Sequence, residues 1–153
     1  MRKRLKNDKR RKFRPIAKKM LLRFLIRALP VQNLSSMQSR KNFELEMSDD
    51  AIAMSSGFPW GLGGGGCICG ALAGGTMCIG YFFGRKTPGD PKINKCFELT
   101  KELHDFFRET CGGTCCRILT KGKEKNSPER KEQCTKFVAA TVKKTAEIIL
   151  REL

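Results

Sequence analysis

No charged residue occurs between Ala51 and Gly84, and this uncharged stretch is punctuated by Pro59, by the run Gly63-Gly64-Gly65-Gly66 and by further glycines. Such a segment either enters a bilayer or is wrapped by the rest of the chain, since it carries no charge to hold it at a water-facing surface. The proline and the glycine run break it. The continuous helix that remains, about 70 to 83, is shorter than the roughly 20 residues a bilayer core requires. The sequence therefore predicts no transmembrane span and a short buried helix at the centre of a bundle. Gly70, Gly74 and Gly75 fall within that helix, where small residues let neighbouring helices approach closely.

The flanking segments supply the neighbours. Ser48-Asp49-Asp50 is a helix start, and Ala51 to Ser56 continue it until Gly57 and Pro59. Asp90-Pro91 is a cap followed by proline at the first helical position. From there Ile93, Phe97, Leu103, Phe107 and Cys111 recur at helical spacing up to Gly112-Gly113. Cys116 to Thr120 read as one short helical turn, and Lys121 to Asn126 as a charged loop. Ser127-Pro128-Glu129 opens the last helix, in which Cys134, Phe137, Val138, Thr141, Val142, Thr145, Ile148 and Ile149 share one face. No segment alternates apolar and polar residues as a half-buried strand does. The predicted fold is all-α, a small bundle of four or five helices.

Charge divides the chain. Residues 1–42 hold fifteen of the 31 Lys and Arg and, on the acidic side, only Asp8, so the formal net charge of +16 describes mainly this stretch. We read 1–42 as a basic, poorly ordered or partly helical arm, and 43–153 as a nearly neutral helical domain that carries every cysteine. The apolar run Met20 to Pro30 is broken by Arg23 and Arg27, too early for a secretory signal. Eight cysteines without such a signal point to the reducing cytoplasm, where thiols are catalytic, metal-bound or packed in a core.

Cys69 and Cys116 share a design, since each follows a glycine turn (Gly63 to Gly66; Gly112-Gly113) and each falls at a predicted helix start. Unsatisfied amides and the helix dipole at that position favour the thiolate, and Arg117 adds a positive charge beside Cys116. Cys134 faces the core near the start of the last helix. Cys78 and Cys96 lie deeper in helices and read as packing residues. Cys67 with Cys69 makes a C-x-C, and Cys111 with Cys115 a C-x3-C, neither of which is the paired C-x2-C of a structural zinc site. His104 lies on the same stripe as Cys111 and reads as a hydrogen-bonded core residue. No phosphate-binding loop and no Ser/His/Asp arrangement is present.

The run Cys69-Gly70-Ala71-Leu72-Ala73-Gly74, followed by Gly75, then Cys115-Cys116-Arg117-Ile118-Leu119 and a last-helix Cys134, resembles the C-GCAxxG-C-C family of small, redox-active proteins with four characteristic cysteines. The likeness runs from about Phe43 to the C-terminus. It implies that Cys69, Cys116 and Cys134 are three of the four cysteines, with Gly70, Ala71, Gly74, Gly75 and Arg117 supporting the motif. The family's first cysteine, in a Cys-Ala-Glu-Ser-Val-like stretch, has no counterpart before Cys67; Cys67, Cys111 and Cys115 are the candidates to replace it. The codons permitted by Pro30-Val31-Gln32-Asn33-Leu34, read from their third bases, also allow Cys-Ala-Glu-Ser-Val. Part of the region before Phe43 is thereby expected to be out of its ancestral frame.

The functional expectation is thiol–disulfide exchange, or a metal or iron–sulfur centre held by Cys69, Cys116 and Cys134. Cys69 would be the nucleophile or ligand, Cys116 its partner and Cys134 the third group. Either chemistry implies a redox partner protein or a small thiol or disulfide. The alternative is a nucleic-acid or anionic-surface binder working through the basic arm, whose binding would fall steeply with salt.

Overall fold

The computed structural model describes residues 53–152. The basic arm, the Ser48 helix start and the candidate frame region lie outside them. Helical residues 53–55 precede α1 (Pro59–Leu62), α2 (Gly70–Phe83), α3 (Lys92–Cys111), α4 (Cys116–Leu119) and α5 (Pro128–Glu152). The described residues are all-α, with a single isolated bridge between Ile68 and Cys115 and no strand. None of their helices is long and apolar enough to cross a membrane.

Local chemistry sets the helix starts. The Lys92 amide donates to Asp90 Oδ1 at 2.9 Å, and the Arg130 amide donates to Ser127 Oγ at 3.2 Å, so each side chain satisfies one of the free amides of a first turn. The three long helices pack pairwise, with α2 between α3 and α5. Ala71, Leu72 and Ile79 of α2 meet Leu99, Leu103 and Phe107 of α3 and Val138, Ile148 and Ile149 of α5 in one core. Each such aliphatic or aromatic side chain contributes about 1.5–3 kcal/mol on burial. The Phe107 and Phe137 rings meet edge to face, 6.0 Å apart, tying α3 to α5.

Gly75 allows this close approach. A Cβ at that position would lie 2.8 Å from both Leu103 Cδ2 and Thr141 Cγ2 and 2.9 Å from Thr145 Oγ1, so α2 fits between its neighbours only as glycine. Gly70 and Gly74 are buried on the same helix.

The buried stripe of α3 differs from the predicted one. It runs through Cys96, Leu99, Leu103 and Phe107, whereas Phe97 is 63% exposed. With 3.6 residues per turn, a step of one residue rotates a side chain by about 100°, which carries Phe97 off the face that Cys96 occupies. His104 is likewise no core residue: its Nδ1 pairs with Asp105 Oδ1 at 3.0 Å on a half-exposed surface. At the far end of the bundle, Glu102 of α3 binds Arg151 at 2.7 Å and Lys144 at 2.9 Å, both from α5. Hydrogen bonds from Arg151 and then Lys144 hold its carboxyl down at about 2.

Candidate thiol redox site

Two glycine-led turns are stitched together by backbone. The Cys69 amide donates to the Thr114 carbonyl at 2.7 Å, the Cys116 amide to the Cys67 carbonyl at 3.4 Å, and the Arg117 amide to the Gly66 carbonyl at 3.0 Å, on either side of the Ile68–Cys115 bridge. This stitching makes Cys69 the N-cap of α2 and Cys116 the first residue of α4. Arg117 directs its Nη2 to the Gly65 carbonyl at 2.7 Å. It therefore pins the glycine loop, and the guanidinium on the Cys116 sulfur is that of Arg130, whose Nη2 lies 3.7 Å away.

The loop over Cys116 is tightly fitted. Gly61 has φ 73°, and a Cβ there would come within 2.4 Å of the Cys67 carbonyl oxygen and 2.7 Å of Cys116 Cβ. Its neighbours Trp60 and Leu62 are held at φ 63° and 55°. Large side chains rarely adopt these angles, and each such residue costs on the order of 1–3 kcal/mol that the surrounding contacts must offset. Trp60 is held by cations: Arg130 Cζ lies 5.1 Å and Lys125 Nζ 5.0 Å from its ring centre. Gln133 joins the turn after α4 to α5, donating to the Leu119 carbonyl at 3.0 Å and accepting from Lys123 Nζ at 2.6 Å.

Cys134, in the second turn of α5, completes the group. Cys69, Cys116 and Cys134 come from three different helices and lie within electrostatic range of one another. Cys69 is raised to about 11, first by burial and then by the charges of Cys116 and Cys134; the amides of Ala71 and Leu72 oppose the shift. Those amides face the sulfur without forming a capping hydrogen bond. This corrects the expectation of a Cys69 thiolate made by its helix start, because desolvation in an 8% exposed site outweighs the dipole. Burial and then Cys116 also raise Cys134, while Arg130 and Lys123 pull it back down.

The remaining cysteines differ in burial. Cys67 is exposed, Cys115 is half-buried at the N-cap of α4, and Cys111 is half-buried against the core, which raises its thiol. Cys78 and Cys96 are core residues, and burial pushes Cys78 up to about 12. Among the described residues no group of three or more His, Cys, Asp or Glu is arranged to hold a metal ion. Two residues of the site escaped the sequence reading: Trp60, the single tryptophan, and Arg130, four residues before Cys134 and so one turn away on the same helix face.

No match was found among curated proteins or solved structures. Residues 35–148, well over half of the chain, match the family described as "Putative redox-active protein (C_GCAxxG_C_C)", further upstream than the likeness read from Phe43. With CGALAGG at the start of the central helix, CCRIL at α4 and Cys134 on α5, the chain belongs to the C_GCAxxG_C_C family.

Proposed function

We propose that this protein performs thiol–disulfide exchange through Cys69, Cys116 and Cys134. What supports the reading is the backbone stitching of the Cys69 and Cys116 turns, together with Arg130, which lies one turn before Cys134 and donates to Cys116 Sγ. Cys116 takes the attacking role first given to Cys69. It has a guanidinium on its sulfur, whereas Cys69 is held as the neutral thiol at neutral pH. Cys69, buried as Cys116 is, is the third member, able to exchange with Cys116. The substrate is a disulfide of a small thiol or of a partner protein.

Anaerobic purification, metal analysis, and mass-spectrometric mapping after exposure to glutathione disulfide test this. The expected result is a disulfide within the three-cysteine group, with Cys78 and Cys96 still reduced. Stoichiometric iron or zinc bound to protein that forms no such disulfide would overturn the reading in favour of a metal centre. Salt-dependent nucleic-acid binding that survives removal of the three cysteines, again with no such disulfide, would overturn it in favour of the basic-arm alternative.

A further inference from the structure

Resting on the thiol-exchange reading, we infer that Cys116 and Cys134 are the pair that cycles between dithiol and disulfide, and that Arg130 is the positioning residue that sets their redox potential. The placement of Arg130 carries the inference. Its Nη2 donates to Cys116 Sγ at 3.7 Å, and it precedes Cys134 by one turn of α5, close enough to act on that thiol by hydrogen bond and by charge. One guanidinium thus serves both sulfurs.

The guanidinium is also fixed in place. It lies over the Trp60 ring at 5.1 Å, on a loop whose tryptophan takes a left-handed backbone angle. Its Nε–H is buried with no hydrogen-bond partner, one of two such side-chain atoms among the described residues. Leaving such a group unsatisfied opposes folding. A cation seeking only stability would turn to water. Arg130 instead stays against the thiols, and among the described residues it has no carboxylate within salt-bridge distance.

The Cys116 thiolate attacks one sulfur of a small-molecule disulfide, the substrate S–S bond breaks, and the leaving thiolate takes up a proton. The Cys134 thiolate next attacks Cys116 Sγ in the mixed disulfide and releases the second substrate thiolate, which is also protonated. The substrate gains two electrons and two protons. The electrons come from Cys116 and Cys134, which end joined by one S–S bond, and the protons are those their thiols released on ionising. Arg130 favours the anionic sulfurs of the reduced pair and has no anion to bind in the neutral disulfide. It therefore stabilises the reduced form and makes the pair more oxidising.

The test is the equilibrium of the full chain with glutathione buffers at fixed pH, read by mass spectrometry as the Cys116–Cys134 disulfide. Arg130→Gln is expected to increase the equilibrium constant for oxidation by glutathione disulfide about tenfold, a potential about 30 mV more negative. Arg130→Lys, which keeps the charge, should return to within about threefold of the parent. Trp60→Leu, which removes the platform, should shift in the same direction as Arg130→Gln even if that variant folds poorly. Unchanged equilibria in Arg130→Gln and Trp60→Leu would overturn the role of Arg130. A Cys69–Cys116 disulfide as the sole product would overturn the choice of pair while leaving thiol exchange standing. The lack of any disulfide within the group would sink the functional reading itself.

Discussion

Replacing Gly75 with alanine places one methyl group where α2, α3 and α5 meet. It would approach Leu103 Cδ2 and Thr141 Cγ2 to 2.8 Å and Thr145 Oγ1 to 2.9 Å. Comfortable separations between carbon atoms are about 3.5–4.0 Å, so Leu103 and Thr141 must each retreat by about 0.7 Å or more, with Thr145 crowded beside them. All three are fully buried and none is the free end of a long side chain. Overpacking of this kind costs about 1–3 kcal/mol, and we expect the upper part of that range. Alanine returns about 0.8–1.0 kcal/mol of helix propensity, leaving a net loss of about 1–2 kcal/mol. Gly80 supplies the control on the same helix, because a Cβ there meets nothing within 4 Å. Gly80→Ala should therefore gain about 0.5–1 kcal/mol. Urea titration followed by far-UV circular dichroism, with unchanged slopes, measures both. If Gly75→Ala proves as stable as Gly80→Ala, α2 is not seated as described and the placement of Cys69 at its head loses its support.

Alkali should destabilise the fold, since Cys69 and Cys78 titrate at about 11 and about 12 in the native protein against 9.0 for the free thiol. Their contribution is complete below about pH 9 and is lost as pH rises through the folded values. Cys78→Ala should flatten this decline in urea titrations made at pH 8 to 11, and an equally steep decline would refute the assignment. At the acid end, Glu102 titrates at about 2 against 4.5, so its contribution is present above pH 4.5 and disappears as pH falls toward 2. Glu102→Gln should cost no more than about 1 kcal/mol near neutrality, since its partner Arg151 is half exposed, and should lessen the acid sensitivity. Reading the coding DNA from the third base of each codon around Pro30 should reveal a Cys-Ala-Glu-like stretch; any other reading there ends the frame hypothesis.

The long helices were legible because their ends are local. Asp90-Pro91 and Ser127-Pro128 cap within two or three residues of themselves, and α2 has the predicted bounds Gly70–Phe83 between two glycine-marked turns. What depended on distant residues was not legible. Helix α1 was missed because Trp60 and Leu62 take left-handed angles that no local propensity favours. The motif named Cys69, Cys116 and Cys134, yet the raised Cys69 thiol could not follow from it. Helix-start dipoles are visible in sequence, whereas the burial that overrides them at Cys69 is a property of the assembled core. Arg117 looked like the cation of Cys116 through adjacency in the chain. The backbone stitching turns it toward Gly65 and brings in Arg130 from fourteen residues beyond Cys116.

That stitching also bears on the order in which the molecule can be made. The Cys69 amide waits for the Thr114 carbonyl, and Cys134 joins only when the first turns of α5 settle beside Trp60. During synthesis Cys67, Cys69, Cys78, Cys96, Cys111, Cys115 and Cys116 all emerge before Cys134. Early in that interval Cys67, Cys69, Cys115 and Cys116 lie in glycine-led turns whose backbone pairing has yet to form. An oxidant met then would find neighbours in sequence, whereas the finished fold presents neighbours in space.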